Sequence, residues 1–599
     1  MTAWSKRILY VDLSRGASRV AKYDGSVARK LLGGRGLAVK LLWDLTPKHV
    51  NPLSPENPFI ISIGPLTGLP FPGSCRVLVA SKSPLTNGYG DGSLGGIIAW
   101  HMRLLNLDAI VLTGATKKPS ILVISDKGVY LEDAENLWGK TIPDTLRALR
   151  VSYGSDAGCL VVGPAAEKGV LYSTIMGSEG RSGGRPGLGC VLASKKLKAI
   201  VVYSESPQEP RLPSEFKKLA SEAYKQIANA PNYREWLRCG TLSTIEWANS
   251  NYVLPVMNFN EAYIDDISSL ASRRLSSLEF RRAGCPYCNM PCGHWILDVE
   301  GYPVELDYEN IAMLGPNLGI FRLEDAAMLN RLADTYGVDS ISLGSVVAYL
   351  IEATEKKTIQ GLNVSWGDVK AIRELVYDII NARGIGVHAS KGVRYLSMLL
   401  GEYEDAMHVK GLEVSAYDCH AAPGMALAYA TSPIGAHHKD AWIIAWEIRY
   451  NRFSYDEEKV RKVIELQRIR GGFFESLIVC RFPWVELGLD LRYYLNALKV
   501  LGLSLTLNDV FRIADRIYTA IRLYWIREYG FWSRKLDQPP LKWFKRPLTR
   551  GPLKGAKLDM DSFNRMLTTY YELRGWDENG VPRRDTISSL ELQDFLSTS

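Results

Sequence analysis

"AGCPYCNMPCGHW" (residues 283–295) sets Cys285, Cys288 and Cys292 within eight residues of chain. The spacing is C-x2-C-x3-C, and Pro286 and Pro291 stiffen the loop, so less entropy is lost when three thiolates converge. Two metal readings supply the missing fourth ligand. Zinc takes the three sulfurs together with His294 in a tetrahedral site. An iron–sulfur cluster takes them with a cysteine distant in sequence, for which Cys480 in "GFFESLIVCRF" is the candidate. Spacing alone leaves both open.

The surrounding chain narrows the class. Its 599 residues are too many for one ordinary core and suggest several domains. Hydrophobic residues at 46% and charged residues at 23% are the balance of a globular protein. The formal charge of +8 is spread over the whole length without a basic run of the kind nucleic-acid binders use, so no nucleic-acid partner is expected. No apolar run reaches the roughly 18 residues that span a bilayer, so no membrane span is expected. The start, "MTAWSKRILYVDLSRG", lacks the apolar core of a signal peptide, which makes a cytoplasmic protein the expectation. Cysteines number nine, an odd count better suited to reduced thiols than to a disulfide scaffold.

Glycine divides the chain unevenly, with 26 of its 52 glycines before residue 208. That region reads as strands joined by Gly/Pro turns: "RILYVDL", "PFIISIG", "RVLVAS", "DAIVLTG", "ILVIS" and "AIVVY". "SESPQEPRLP" (204–213) reads as a linker. Helical periodicity dominates beyond it, as in "SEFKKLASEAYKQIAN", "LEDAAMLNRLADTYG", "GSVVAYLIEATEKK" and "NDVFRIADRIYTAIRLYWIREYG". The expected fold class is α+β: a glycine-rich, sheet-containing N-terminal domain (1–207) followed by two mostly helical domains (208–410 and 411–599). Three glycine-rich stretches, "LLGGRGLAVKLL" (31–42), "NGYGDGSLGG" (87–96) and "GSEGRSGGRPGLG" (177–189), offer backbone N–H groups that phosphate can approach. None fits the P-loop or Rossmann pattern. Three together, beside an iron–sulfur candidate, suggest a large phosphorylated cofactor.

The ordered series "LLGGRGLAVKLL", "GPLTGLPFPGSCRVLVASKSPLTNGYGDGSLGG", "GRSGGRPGLGCVLASKKLKAI", "CPYCNMPC", "DYENIAMLGPNLG", "DTYGVDSIS" and "KGLEVSAYD" resembles the aldehyde ferredoxin oxidoreductases along essentially the whole chain. The resemblance implies a tungsten (or molybdenum) bis-pyranopterin, with magnesium bridging its phosphates, beside one 4Fe–4S cluster. Three clustered cysteines and the cysteine that ends a D-x-x-G-L-C motif hold such a cluster. Here that motif reads Glu475-Ser476-Leu477-Ile478-Val479-Cys480, keeping Cys480 and altering the expected pterin contacts Glu475 and Val479. The partner D-x-x-G-L-D motif is nearly intact as Asp334-Thr335-Tyr336-Gly337-Val338-Asp339, which places Asp334, Val338 and Asp339 at the pterin. Gly337 also suits a left-handed helix cap.

By the same resemblance Arg76 stands between cluster and pterin, while Ser93, Gly95, Gly96, Arg181, Ser182 and Arg185 fall in the magnesium and phosphate region. Glu309 matches the active-site glutamate, with Tyr308 beside it, and His438 matches the active-site histidine, with His437 the neighbouring alternative. The reaction implied is oxidation of a small aldehyde to a carboxylic acid, with electrons leaving through the cluster to ferredoxin or a ferredoxin-like iron–sulfur subunit. An electron-transferring or carboxylate-reducing subunit of a larger complex is a second reading, and a zinc-stabilised binding protein a remote third. Departures include Asp418-Cys419-His420 in place of the family's D-P-R. Met328 and Arg331 stand where some members carry an E-x-x-H for iron at a dimer interface, so that iron is not expected and a homodimer stays open.

Overall fold

The computed structural model describes residues 3–205, 207 and 210–596; Ser206, Gln208 and Glu209 of the expected linker lie outside the described residues. The N-terminal region folds into two mixed six-stranded sheets. The first runs Ala17–Lys22, Arg7–Asp12, Ala109–Thr113, Phe59–Ser62, Arg76–Lys82, Tyr89–Gly95. The second runs Ser182–Gly183, Ile175–Gly177, Gly158–Val161, Leu197–Val202, Ser120–Ser125, Gly128–Asp133. Each sheet contains one parallel pair, Arg7–Asp12 with Ala109–Thr113 and Leu197–Val202 with Ser120–Ser125. The helical region that follows completes the α+β fold expected from sequence.

The central strands read as nearly unbroken apolar runs because they are buried on both faces. Leu9, Phe59, Ile61, Val77 and Ile110 of the first sheet pack against Leu122, Ile124, Leu160 and Ile200 of the second. On the opposite face, Ile8, Ile60, Leu78, Ala80 and Val111 join the core of the helical region. The far face of the second sheet is covered by the helix Ile142–Tyr153 through Leu146 and Leu149. Side chains two apart share a face, so the register Arg76↔Gly95, Leu78↔Ser93 and Ala80↔Asp91 points Arg76, Asp91 and Ser93 toward the helical region. That register decides where the site can be.

Two of the three glycine-rich stretches are not loops. "LLGGRGLAVKLL" continues into the helix Gly34–Leu45, and most of "NGYGDGSLGG" is the strand Tyr89–Gly95. Arg35 of the first is fully buried and pairs bidentately with Asp91, its Nε 2.6 Å from Oδ2 and NH2 3.0 Å from Oδ1. Its NH1 reaches Asp440 Oδ1 at 3.0 Å and the Gly471 carbonyl at 2.9 Å. Lys439 Nζ joins Asp91 Oδ1 at 2.8 Å and Glu475 Oε2 at 3.5 Å, and Arg481 NH1 meets Glu475 Oε1 at 3.0 Å. Three cations face three carboxylates. Each buried ion loses several kcal/mol of hydration, so the set is stable only when its members neutralise one another. Burial would raise the Asp91 carboxyl, but Arg35 and Lys439 hold it well below the usual range.

Asp91→Asn leaves two buried cations short of one carboxylate. It should cost about 3–5 kcal/mol of unfolding free energy, read as a fall in the midpoint of urea denaturation.

Candidate active site

A cavity of about 380 Å³ lies between the edge strand Tyr89–Gly95 and the helical region. All four predicted cysteines line it, as do Arg76, Ser93, Gly95, Arg181, Ser182, Arg185, Asp334, Val338, Asp339, Tyr308, Glu309, His437 and His438. Residues spread over more than 400 positions of sequence therefore share one wall. Gly96, Glu475 and Val479 do not line it.

The three-cysteine loop joins the strands Arg281–Ala283 and Gly293–Leu297 of a small antiparallel sheet. Gly73 ties that loop to the distant cysteine. Its N–H donates to the Tyr287 carbonyl at 3.0 Å, and its carbonyl accepts from the Cys480 N–H at 2.8 Å. Glycine is required for close approach: a Cβ on Gly73 would meet Cys480 Cβ at 2.8 Å, and one on Gly95 would sit 2.3 Å from Cys285 Sγ. All four thiols are free. Burial raises the Cys285 thiol, and Arg181 and Arg76 oppose that rise. Four half-buried thiols with two guanidiniums beside them suit a polynuclear cluster, whose net negative charge the arginines offset. The zinc reading with His294 as fourth ligand lacks that ligand at this cavity. His294 does not line the cavity and turns its Nδ1 to Glu279 Oε1 at 2.8 Å. Among the described residues no three His, Cys, Asp or Glu side chains are set to hold a single ion.

Asp334 and Asp339 flank Gly337, which caps the helix Leu323–Tyr336 in the left-handed conformation at φ 78°. Asp339 Oδ2 accepts from Arg185 Nε at 2.9 Å and caps the next helix, Ser340–Glu355, through the Ser342 N–H at 2.8 Å. Asp334 has only a long contact, 3.4 Å, from Asn330 Nδ2, and burial raises its carboxyl well above the ordinary range. It is the better supplied of the two to accept from a pterin N–H. Arg185 spends its remaining nitrogens on the carbonyls of Glu413 at 2.7 Å and Ala436 at 3.2 Å. Arg76 NH2 donates to the Ser93 carbonyl at 2.9 Å and hydroxyl at 3.1 Å, so that carbonyl is already engaged. Arg181 NH1 pairs with Glu305 Oε1 at 2.6 Å.

The altered motif has a structural explanation. Ile478 occupies the place of the expected glycine yet holds φ 50°, the same left-handed turn as Gly337. The Glu475 side chain is turned from the cavity into the ion-pair set, where Lys439, Arg35 and Arg481 outweigh burial and lower it to about 2. Val479 is buried in the core beside it. Gly96 is likewise behind the wall, its carbonyl accepting from Cys75 Sγ at 3.2 Å.

Glu309 and His438 form the reactive pair. Glu309 Oε2 accepts the Ala416 N–H at 2.8 Å, leaving Oε1 3.0 Å from His438 Nδ1 at an angle that makes no full hydrogen bond. Two buried polar atoms without a satisfied bond mark a place for a ligand. Burial raises the Glu309 carboxyl to about 7 and, with Arg481 and Arg470 near, lowers His438 well below its ordinary value. His437 is lowered for the same reason and its Nδ1 accepts the Lys439 N–H at 3.1 Å, which leaves His438 as the partner of Glu309. Tyr308 donates its hydroxyl to the Ala416 carbonyl at 2.6 Å. It therefore positions the peptide that holds Glu309 and has no spare proton to offer. Asp91, Lys439, Arg470, Arg481, Tyr417 and Trp442 also line the cavity. No periodicity or spacing marks them, although Lys439 follows His438 and Arg481 follows Cys480 in sequence.

Met328 is buried in the core and Arg331 bonds to Asp298 and Glu300 at 2.5 Å, so neither is disposed as a metal ligand. Among the described residues no helix is long and apolar enough to cross a membrane.

The family model described as aldehyde ferredoxin oxidoreductase, N-terminal domain, matches residues 8–204, and that described as domains 2 and 3 matches residues 218–592. The tungsten-containing aldehyde ferredoxin oxidoreductase of Pyrococcus furiosus is 32% identical, over 98% of this chain and 99% of the relative. That of Thermococcus kodakarensis is also 32% identical, with the same coverage of 98% and 99%. The aliphatic sulfonate oxidoreductase, WOR-like subunit, of Pyrococcus furiosus is 27% identical over 99% of this chain and 97% of its own. The BamBC active-site complex of benzoyl coenzyme A reductase with 1,5-dienoyl-CoA shares the fold, with a TM-score of 0.84 at 22% identity over 99% of this chain and 98% of the solved one.

The fold binds protonated Glu309 more tightly than the unfolded chain does. That stabilisation is complete below pH 4.5 and is lost as pH rises through about 7. Glu309→Gln removes the titration. Between about pH 4 and about pH 8 the variant should gain roughly 3 kcal/mol on the parent, read from denaturant titrations at both ends.

Proposed function

The chain belongs to the aldehyde ferredoxin oxidoreductase family, and from that membership we propose that it oxidises an aldehyde and passes the electrons to a ferredoxin or a ferredoxin-like subunit. Aldehyde and water give a carboxylic acid, two protons and two electrons. The observation that carries the reading is the Glu309–His438 pair, 3.0 Å apart, facing the cavity that the four cysteines also line. A tungsten–pterin held near Arg76, Ser182, Asp334 and Val338 would supply the two-electron oxidant. Cys285, Cys288, Cys292 and Cys480 would hold the 4Fe–4S cluster through which single electrons leave.

The chain's own groups handle the protons. A carboxyl near pH 7 is matched to proton transfer at neutral pH. Ionised Glu309, fixed through Oε2 by the Ala416 N–H, takes the proton released as water adds to the carbonyl carbon. Protonated Glu309 then faces His438 Nδ1, which leaves the hydrogen of the neutral imidazole on Nε2. That N–H then stabilises the negative charge left on the former carbonyl oxygen of the hydrated aldehyde. The division of the chain near residues 207 and 410 is part of the same proposal; the gap between the family matches at 204 and 218 supports the first boundary.

A second reading makes the chain one subunit of a larger iron–sulfur complex. It draws on the relatives named as a WOR-like subunit and as the BamBC complex. Purification of the native assembly with its mass measured separates the two readings.

Anaerobically purified protein should hold about four irons and one tungsten per chain and should reduce a viologen dye with an aldehyde. Zinc alone in a colourless sample would refute the proposal. Glu309→Gln should lower turnover by about 10²–10⁴ with metal content intact, the usual cost of losing a general base. Cys480→Ser should lose cluster iron, read by its visible absorbance.

A further inference from the structure

The cavity wall around His438 carries Arg185, Lys439, Arg470 and Arg481. Three of these cations are matched by carboxylates: Arg185 by Asp339 at 2.9 Å, Lys439 by Asp91 at 2.8 Å, and Arg481 by Glu475 at 3.0 Å. Arg470 is the exception. Its Nε donates to the Lys439 carbonyl at 3.0 Å, and among the described residues its NH1 and NH2 have neither an ion pair nor a hydrogen-bond acceptor. Glu486 lines the same cavity and its charge acts on Arg470 from beyond ion-pair distance, so it leaves NH1 and NH2 unbonded. The Arg470 residue is only 4% exposed, so water does little to solvate its charge.

Its placement is rigid. Arg470 sits in the π-helical turn Gln467–Phe474, whose Gly471 carbonyl is held by Arg35. Such turns widen a helix and recur at functional sites. Here the turn is clamped by the ion-pair set, and the Nε bond to Lys439 fixes the guanidinium plane. A buried, unmatched guanidinium is costly, and its two free terminal nitrogens form the fork that binds a carboxylate or phosphate. Tyr417 packs edge-on against His438 and Trp442, with ring centres 5.6 and 5.8 Å apart, and supplies an apolar wall for a carbon chain.

We propose that Arg470 binds an oxyanion on the substrate, so that the aldehyde taken by this site carries a carboxylate or a phosphate besides its carbonyl. The aldehyde part rests on the oxidoreductase reading above; the anion site does not. The oxyanion fills the missing countercharge at Arg470, and its fork fixes the distance from anion to carbonyl. Neutral aldehydes of the same length leave the charge unmatched and bind without orientation.

The test compares succinic semialdehyde, glyceraldehyde 3-phosphate and butanal on the holoenzyme, with calorimetric titration of succinate and of inorganic phosphate alongside. An anionic aldehyde should exceed butanal in kcat/KM by about 10- to 100-fold, the range of a charged hydrogen bond, and the favoured anion identifies carboxylate or phosphate. Arg470→Met should lower kcat/KM for that aldehyde about 10- to 100-fold more than for butanal, and Arg470→Lys should retain part of the preference. Equal use of butanal by the parent, equal losses in Arg470→Met, or loss of tungsten with the arginine would overturn the proposal. In the last case the guanidinium serves the cofactor. If no aldehyde is oxidised, the oxidoreductase reading fails and calorimetry alone decides. Succinate or phosphate binding that disappears in Arg470→Met supports the anion site, and no binding by the parent removes it. Should Arg470→Met not fold, the parent's preference and Arg470→Lys carry the same decision.

Discussion

Buried charge must be neutralised where it stands, and the ion-pair set around Arg35 is where this protein meets that demand. Its members come from the helix Gly34–Leu45, the edge strand Tyr89–Gly95, the segment at Lys439 and Asp440, and the turn leading to Cys480. No one of these segments can be placed without the others, because a vacancy leaves a charge unpaired. The same set fixes the segments that carry His438, Arg470 and Cys480. The cavity is the space they enclose with the sheet. Stability and site geometry are therefore one problem in this chain.

The two turns that bring the cavity its ligands are conformational equivalents with different chemistry. Gly337 adopts the left-handed conformation without strain, whereas Ile478 adopts it at a cost of about 1–2 kcal/mol. Ile478 offsets that cost by burial: it is 1% exposed and packs so closely on Gly34 that a Cβ there would meet its side chain at 2.6 Å. The turn, and with it Cys480, is delivered despite the change. What changes is the carboxylate at its start. Glu475, one methylene longer than aspartate, serves Lys439 and Arg481 rather than the cavity.

Neighbours, rather than burial alone, sort the acids into roles. Asp91 and Glu475 are surrounded by cations and stay ionised as parts of the frame. Glu309 and Asp334 lack such partners, and burial raises both. Raised carboxyls in a cavity are the ones able to exchange or share protons. The arrangement separates the structural charge of the ion-pair set from the reactive charge in the cavity beside it.

The sequence by itself determined the elements whose signals are local. Six apolar runs became strands and four periodic runs became helices, because burial on one or both faces imposes a period that composition records. Cys285, Cys288 and Cys292 were legible from their spacing, and Cys480, Glu309 and His438 from the order of motifs. Tertiary structure decided the rest. Arg35, in a stretch whose backbone was expected to meet phosphate, is a buried cation paired with Asp91 and Asp440; Tyr308, expected beside the catalytic glutamate, donates its hydroxyl to the Ala416 carbonyl; Glu475, expected at the pterin, pairs with Lys439 and Arg481. Arg470 carried no signal at all. Each of these roles depends on whether a counter-charge or acceptor stands within about 3 Å, and that partner comes from a segment tens to hundreds of residues away. Charge is written in the sequence, but its neutralisation is a property of the fold.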